Sequence, residues 1–220
     1  LAGAPINVTN TKSIDLVVPA EAEIVIEGFI DTTHVEPEGP FGESHGHIAL
    51  EEYNMPMRIT AITRRQKAIV PSYISQVAPS ESSVIKRVAY EPLFLRHLRD
   101  ENNIKGVKKV SLHEPLTGLL RVTVITCDAN MPRTEIWRAL YGAVFFKGDC
   151  SKICIAVNED IDVDNADALL WAMSYRTNPS EDMQTLPHRG QGHGPKREHD
   201  GEEDSSVLID ATMKSPMPPL

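Results

Sequence analysis

The hydrophobic pattern of the chain changes character at Ser80, and this change limits the folds available to it. Before Ser80, short alternating or apolar runs between turn residues predict strands, among them residues 23–27 and 57–64. Ser80 followed by Glu81 is typical of a capped helix start. From Ile104 onward, strand and helix patterns alternate. The chain is therefore predicted to be α+β, with a strand-rich first part and an α/β second part.

The helix that starts at Ser80 has an apolar stripe at helical spacing. The stripe consists of Val84, Ile85, Val88 and Ala89, which fall on one face of the predicted helix. Pro92 is predicted to end or kink this helix before a second helical stretch that runs to about Asn103.

The second part carries buried-strand patterns at residues 119–125, 153–157 and 207–209. One helix is predicted to start at Pro132, and another at a cap formed by Asp162 or Asp164. In the first part of the chain, an apolar run at residues 68–70 predicts one more strand. Residues 178–205 are polar and rich in glycine, proline and charge, which predicts a disordered segment or a long functional loop.

Charge and cysteine content exclude several classes of protein. The net charge of −9 comes from 31 acidic and 22 basic residues, and an acidic chain without a basic stripe is a poor nucleic-acid binder. No apolar run reaches the ~18 residues that a membrane-spanning helix needs. The three cysteines are too few for a disulfide framework, which predicts reduced thiols and a cytoplasmic location.

The most informative segment is the loop PEGPFGE at residues 37–43. Glu38 and Glu43 flank a turn built from two prolines and two glycines, which restrict or widen the backbone angles. Such a loop can hold two carboxylates at a set separation, and paired carboxylates can differ in pKa so that one donates a proton near pH 7. The alternative is a solvated turn with two solubilising acids.

Other candidate sites are weaker. His45 and His47 would share one face of an extended segment and could bind a metal, but third and fourth ligands are not evident nearby. Residues 160–164 imitate the start of a calcium loop, yet Asn165 stands at its sixth position and Trp171 at its twelfth. Nucleotide-binding GxGxxG and Walker A motifs and the GxSxG hydrolase motif do not occur.

The sequence resembles the UbiD family of reversible, non-oxidative decarboxylases that use prenylated flavin mononucleotide (FMN). The resemblance rests on VPAEAEIVIEG at residues 18–28, on PEGPFGE with the following His45-Gly46, and on NEDID at residues 158–162. It continues through WAMSYR at residues 171–176 and GHGP at residues 192–195.

The resemblance implies three parts. Residues 1–77 would be the C-terminal part of a flavin-binding split β-barrel, residues 78–103 a helical linker, and residues 104–220 an α/β domain that contains the loop at 178–205. The family's catalytic arginine, and its ligands for Mn²⁺ and the flavin phosphate, precede the point where this chain begins. The chain is therefore expected to be the C-terminal portion of an enzyme, with no metal ligands of its own. The N-terminal portion of the same enzyme would be its partner.

The resemblance also implies site residues. Glu43 would be the acid/base that protonates carbon after CO₂ departs, and Glu38 its partner carboxylate. Lys147 would contact the flavin phosphate. Ser82 and Lys86 would line the substrate pocket from one side, with Leu186 and His188 near the other wall.

The implied function is decarboxylation of an aromatic acid through a transient adduct with prenylated FMN. Mn²⁺ and K⁺ would assist, a flavin prenyltransferase would supply the cofactor, and the enzyme would be a homo-oligomer. The segment at residues 79–87 resembles hydroxybenzoate-type members, which favours a hydroxylated benzoate as substrate. Two alternatives are a non-catalytic flavin-barrel subunit or scaffold and a flavin-reductase-like binding module. A visible absorption spectrum would separate the three.

Overall fold

The computed structural model describes residues 3–49, 52–113, 120–148, 150–190 and 203–214. The predicted α+β fold class is confirmed. The chain divides into two compact units. The N-terminal unit comprises residues 1–41 and 48–73, and the C-terminal unit comprises residues 42–47 and 74–220.

The N-terminal unit consists of short strands in antiparallel pairs. The strands are β1 (Val8–Asn10), β2 (Val17–Pro19), β3 (Ile24–Ile30), β4 (Glu36–Glu38), β5 (Phe41–Gly42), β6 (Ile48–Ala49), β7 (Glu52–Asn54) and β8 (Met57–Arg64). They form four two-stranded sheets, β1–β2, β3–β8, β4–β7 and β5–β6. The strand predicted at residues 68–70 is absent, because this described segment makes no ladder hydrogen bonds.

The longest pair, β3–β8, contains a bulge that depends on a glycine. The register shifts between Glu27 and Gly28, and a side chain at Gly28 would collide with the backbone carbonyl of Arg58. The bulge turns Glu27 inward, where only 2% of its surface is exposed. Glu27 is the one fully buried residue among those that the structure describes in this unit.

Glu27 ties β3 to the segment between β1 and β2. Its carboxylate accepts hydrogen bonds from the Lys12 amide (2.8 and 2.9 Å), the Ser13 amide (2.6 Å) and the Ser13 hydroxyl (2.7 Å). The Lys12 amide bond is the largest cause of a lowered pKa at Glu27, with the Ser13 bonds adding to it. A network of neutral donors therefore holds this carboxylate ionised.

The C-terminal unit begins with helix α1 (Glu81–Arg96), which continues into one π-helical turn (His97–Glu101). The predicted start at Ser80 is confirmed: its hydroxyl accepts from the Ser83 amide, while the Ser83 hydroxyl accepts from the Ser80 amide. Pro92 lies inside the helix without ending it, so the two predicted helical stretches are one.

The apolar stripe of α1 is exposed in the structure. Val84, Ile85 and Val88 are 52%, 56% and 68% exposed, whereas Ser83 and Phe94 are buried. A helical apolar stripe shows that one face is suited to burial, but it does not specify what covers that face.

A five-stranded sheet forms the centre of the unit, in the order β12-β13-β11-β10-β9. Its strands are β9 (Val107–Leu112), β10 (Val122–Cys127), β11 (Ile153–Asn158), β12 (Met183–Gly190) and β13 (Glu203–Asp210). β10, β11 and β13 run parallel, and the edge strands β9 and β12 are antiparallel to their neighbours. Leu119, predicted to begin the second of these strands, lies outside the described residues.

Helices cover both faces of the sheet. They are α2 (Arg133–Val144), α3 (Ala166–Arg176) and the single turn α4 (Pro179–Asp182). One apolar cluster joins α1, the π turn and α2 to the sheet, and a second joins α3 to it. The cap of α3 is Asn165, not Asp162 or Asp164, because the Asn165 side chain accepts from the Asp167 and Ala168 amides.

The loop predicted at residues 178–205 needs correction over its first part. Residues 179–190 form α4 and the edge strand β12, which pairs with β13. An edge strand with one polar, solvated side carries little apolar periodicity, and this explains why its composition resembled a loop. Residues 191–202, including the GHGP motif, lie outside the described residues.

Candidate active site

Glu38 is the last residue of β4, in the N-terminal unit. Its α-carbon pairs with that of Glu52, and the Asn54 side-chain amide on β7 donates a short hydrogen bond to its carboxylate. Gly39 follows with φ of +103°, a conformation that glycine adopts without strain. The short β4–β7 ladder thus fixes the backbone of an exposed carboxylate.

Glu43 belongs to the C-terminal unit and begins a tight turn. Its amide donates to the His47 carbonyl (2.9 Å), and its carbonyl accepts from the Gly46 amide (3.0 Å). The side chain is half-buried. Glu38 and Glu43 therefore belong to different units, and their pairing as two carboxylates stays a prediction.

The turn that carries Glu43 is bonded to the residues that precede α1. The Ser44 carbonyl accepts from the Ala78 amide (3.1 Å), two residues before the cap of the helix. This backbone hydrogen bond joins the turn that carries Glu43 to the segment that leads into α1.

Ser82 is buried, and its hydroxyl bonds those of Ser75 (2.9 Å) and Ser80 (3.0 Å). Lys86, one turn later, is exposed. The predicted pocket residues of α1 thus differ: Ser82 belongs to a serine network, while the Lys86 ammonium faces solvent.

The other predicted residues lie around the turn that follows α2. Lys147 is exposed on this turn, and its carbonyl accepts from the guanidinium of Arg189 on β12 (3.2 Å). Leu186 of β12 packs against the first apolar cluster. His188 is exposed with φ of +60°, and its Nδ1 lies 2.6 Å from the Glu203 carboxylate. The structure thus brings Lys147 together with the strand that carries Leu186 and His188.

Sequence reasoning missed Asn54 and Arg189, which contact predicted site residues. Asn54 lies in a strand too short to show periodicity, and Arg189 lies in the polar stretch interpreted as a loop. The first contact depends on the pairing of β4 with β7, and the second on the tertiary contact between β12 and the turn that follows α2.

The segment that imitates a calcium loop is occupied by ion pairs. Asp160 bonds Arg176, and Asp164 bonds Arg87 of α1 (2.6 Å). These hydrogen bonds lower the pKa of both carboxyls, and the bond to Asp164 raises the pKa of Arg87. A strand end followed by a helix cap, held by arginines, accounts for the acidic run.

Metal and thiol chemistry find little support within the described ranges. The His45 and His47 rings lie 5.4 Å apart, and the described residues hold no group of three or more side chains suited to a metal ion. Cys127, Cys150 and Cys154 are buried and not in disulfides. Burial raises the pKa of Cys127 to about 12 and also raises that of Cys154, so neither is a ready nucleophile.

No helix in the described part of the chain has the length and apolar character of a membrane span.

Comparisons with known proteins identify relatives of both units. An uncharacterised protein of Archaeoglobus fulgidus is 28% identical over 185 residues, which cover 83% of this chain and 37% of that protein. The structure of the UbiD-class enzyme HmfF from Pelotomaculum thermopropionicum, in complex with FMN, superposes with a TM-score of 0.76 at 25% identity. The match covers 97% of this chain and 46% of that one.

The vanillic acid decarboxylase of Sedimentibacter hydroxybenzoicus shares the fold, with a TM-score of 0.78 at 22% identity over 99% of this chain and 46% of that one. The chain thus spans less than half the length of the relatives that it matches. The model of the 3-octaprenyl-4-hydroxybenzoate carboxy-lyase Rift-related domain matches residues 1–77, and that of the C-terminal domain of the same family matches residues 84–211. The chain belongs to the UbiD family.

Proposed function

We propose that this chain is the C-terminal portion of a prenylated-FMN-dependent decarboxylase that acts on an aromatic acid. The observation that carries the proposal is the retained Glu38 and Glu43, each held by its own backbone hydrogen bonds, in a chain that both UbiD family models match. A hydroxylated benzoate is the substrate class we favour. Decarboxylases of vanillic and 3,4-dihydroxybenzoic acid, which share the fold, are consistent with this preference.

Glu43 would serve as the acid/base at the substrate carbon. A half-buried carboxyl on a hydrogen-bonded turn keeps its backbone fixed while its side chain can release and recover one proton. When bound, prenylated FMN supplies the electron sink for the carbon that loses CO₂. The residues of this chain would contribute the proton, the orientation of the substrate and the hold on the cofactor.

Lys147 fits a role at the flavin phosphate. It is a cation whose side chain is exposed and whose backbone is bonded to β12. A compact ammonium is a suitable partner for a phosphate group. Lys86 and Ser82 at the start of α1 would face the substrate together with Leu186 and His188.

The N-terminal portion of the same enzyme is proposed as the partner of the N-terminal unit. Among the residues of this unit that the structure describes, nineteen large apolar side chains are exposed, and natural proteins seldom leave so much apolar surface uncovered. That portion would bring the family's catalytic arginine and the Mn²⁺ and K⁺ ligands that the family resemblance implies. A cytoplasmic homo-oligomer that receives its cofactor from a flavin prenyltransferase completes the proposal.

The decisive experiment is Glu43→Gln in the complete enzyme. Glutamine keeps the shape but cannot exchange the proton, so turnover and solvent-deuterium incorporation at the substrate carbon should fall by about 10²- to 10⁴-fold, with the flavin still bound. Glu36→Gln, at an exposed glutamate two residues before Glu38 on β4, is the control and should retain turnover. Turnover of Glu43→Gln within about twofold of the unmodified enzyme would reduce Glu43 to a turn residue.

The need for the N-terminal portion has its own test. Residues 1–220 alone, supplied with prenylated FMN, should neither decarboxylate nor retain the cofactor on gel filtration, and adding the N-terminal portion should restore both. Decarboxylation by residues 1–220 alone would overturn the proposed partner.

A further inference from the structure

Arg189 bonds the turn that follows α2 from the neighbouring strand β12. Its Nη2 donates a short hydrogen bond to the Val144 carbonyl and a second, of 3.2 Å, to the Lys147 carbonyl. The last carbonyls of a helix lack partners within the helix, and a cation is favourable there. One guanidinium group therefore closes α2 and holds the turn beyond it.

Further contacts hold the same turn. The Lys147 carbonyl also accepts from the Cys150 thiol (3.1 Å) and the Cys150 amide (3.4 Å), and the Gly190 amide donates to the Gly148 carbonyl (3.3 Å). The Arg189 guanidinium lies 5.2 Å from the centre of the Phe145 ring. Two consecutive residues of β12 thus bond two consecutive residues of the turn.

These contacts hold the backbone of Lys147. Its backbone is held through its carbonyl, whereas its side chain is exposed. A lysine that binds an anion loses conformational entropy in its side chain and in its backbone. The backbone share of this entropy cost is smaller when the backbone is already ordered. We propose that Arg189 is a positioning residue that places Lys147 toward the phosphate of the flavin, an inference that rests on the proposed function.

The chemistry of Arg189 explains why lysine would not replace it. Both carbonyls are reached by Nη2, which lies farther along the side chain than a lysine ammonium, and the planar guanidinium also lies over the Phe145 ring. Arg189→Lys retains the charge and most of the volume but should hold one carbonyl less firmly. It is therefore the mildest change that tests positioning without removing the cation.

The experiment compares two flavins in the complete enzyme. Riboflavin lacks the phosphate that FMN carries, so the ratio of their dissociation constants, measured by quenching of flavin fluorescence, isolates the phosphate interaction. Lys147→Ala should weaken FMN binding about 10-fold or more and leave riboflavin binding unchanged. Arg189→Lys should weaken FMN binding by about 3- to 10-fold, again without affecting riboflavin.

Combining the two changes distinguishes positioning from general support. If Arg189 acts through Lys147, Arg189→Lys should add little in the Lys147→Ala background. Arg138→Lys on the exposed side of α2 is the matched control and should leave the FMN-to-riboflavin ratio unaltered. Thermal unfolding followed by circular dichroism establishes that each variant is folded.

Two results would overturn the inference. An Arg189→Lys variant that weakens FMN and riboflavin equally, or whose effect adds fully to that of Lys147→Ala, would make Arg189 a structural cap alone. An unmodified enzyme that binds neither flavin would instead reject the proposed function, and the inference with it.

Discussion

The two units of this chain bury apolar surface to very different extents. In the C-terminal unit, two clusters of fully buried side chains pack between the sheet and its helices. In the N-terminal unit, the described residues include one fully buried side chain, the carboxylate of Glu27, while residues such as Ile26 and Phe29 are 54% exposed. Strand pairing alone is marginally stable without an apolar face to bury, so we expect the N-terminal unit to depend on the proposed N-terminal portion in a way that the C-terminal unit does not.

The sharpest test of this contrast compares two phenylalanines. Phe94 of α1 is fully buried with its ring centre 4.3 Å from that of Phe146, so Phe94→Ala should lower the free energy of unfolding by about 3–5 kcal/mol. Phe29→Ala should cost less than about 0.5 kcal/mol in residues 1–220. Chemical denaturation of both variants measures the difference. In the complete enzyme the cost of Phe29→Ala should rise, and equal costs in residues 1–220 would refute the contrast.

The buried carboxylate of Asp182, in the C-terminal unit, provides the next test. The Asp182 side chain is 4% exposed and accepts from Arg133 (3.0 Å) and from the Asn178 amide (2.8 Å). Asp182→Ala should destabilise the chain by about 1–3 kcal/mol, because these donors lose their acceptor. Glu135→Ala, which removes a surface pair with Arg138, should cost less than about 1 kcal/mol in the same denaturation experiment.

A smaller effect is expected at the helix cap. Ser80→Ala removes the hydroxyl that accepts the Ser83 amide and should cost about 1 kcal/mol. Ser174, whose hydroxyl bonds the Leu170 carbonyl within α3, is the matched control, and Ser174→Ala should be nearly neutral. A cost at Ser80 no greater than that at Ser174 would show that the capping box contributes nothing.

The smallest expected effect is on how the stability of the N-terminal unit depends on pH. Because the folded state lowers the pKa of Glu27 below its ordinary value, its contribution to stability is present above that ordinary value and is lost as pH falls through the lowered pKa. Glu27→Gln should therefore lack this acid-sensitive component. The measurement is the hydrogen-exchange rate of the Lys12 and Ser13 amides in the variant, divided by that in the unmodified protein. This ratio should differ from one near neutral pH and approach one in acid. A pH-independent ratio would contradict this prediction.

Long periodic elements could be predicted from the sequence, whereas contacts between elements could not. The start of α1 at Ser80 and the strand Met57–Arg64 agree with the sequence pattern, because caps and alternation are local signals. The apolar stripe of α1 is exposed, because burial of a helix face depends on tertiary partners. The loop prediction was wrong over residues 183–190, because β12 depends on pairing with β13. A dense local motif identified Glu38 and Glu43, but Asn54 and Arg189 contact predicted site residues only through long-range contacts, across paired strands for Asn54 and between β12 and a turn for Arg189.

The position of β13 within the sheet has a consequence for biosynthesis. This strand lies between β11 and β12, and its pairing with β11 joins residues 54 positions apart, as Ile153 with Val207. Such distant pairing carries a larger loop-closure cost than the nearby β9–β10 pair, which can form early. During translation, the sheet lacks an interior strand until residues 203–210 have left the ribosome. A nascent chain stalled before that point would expose the open edge of β11 to chaperones and to other chains.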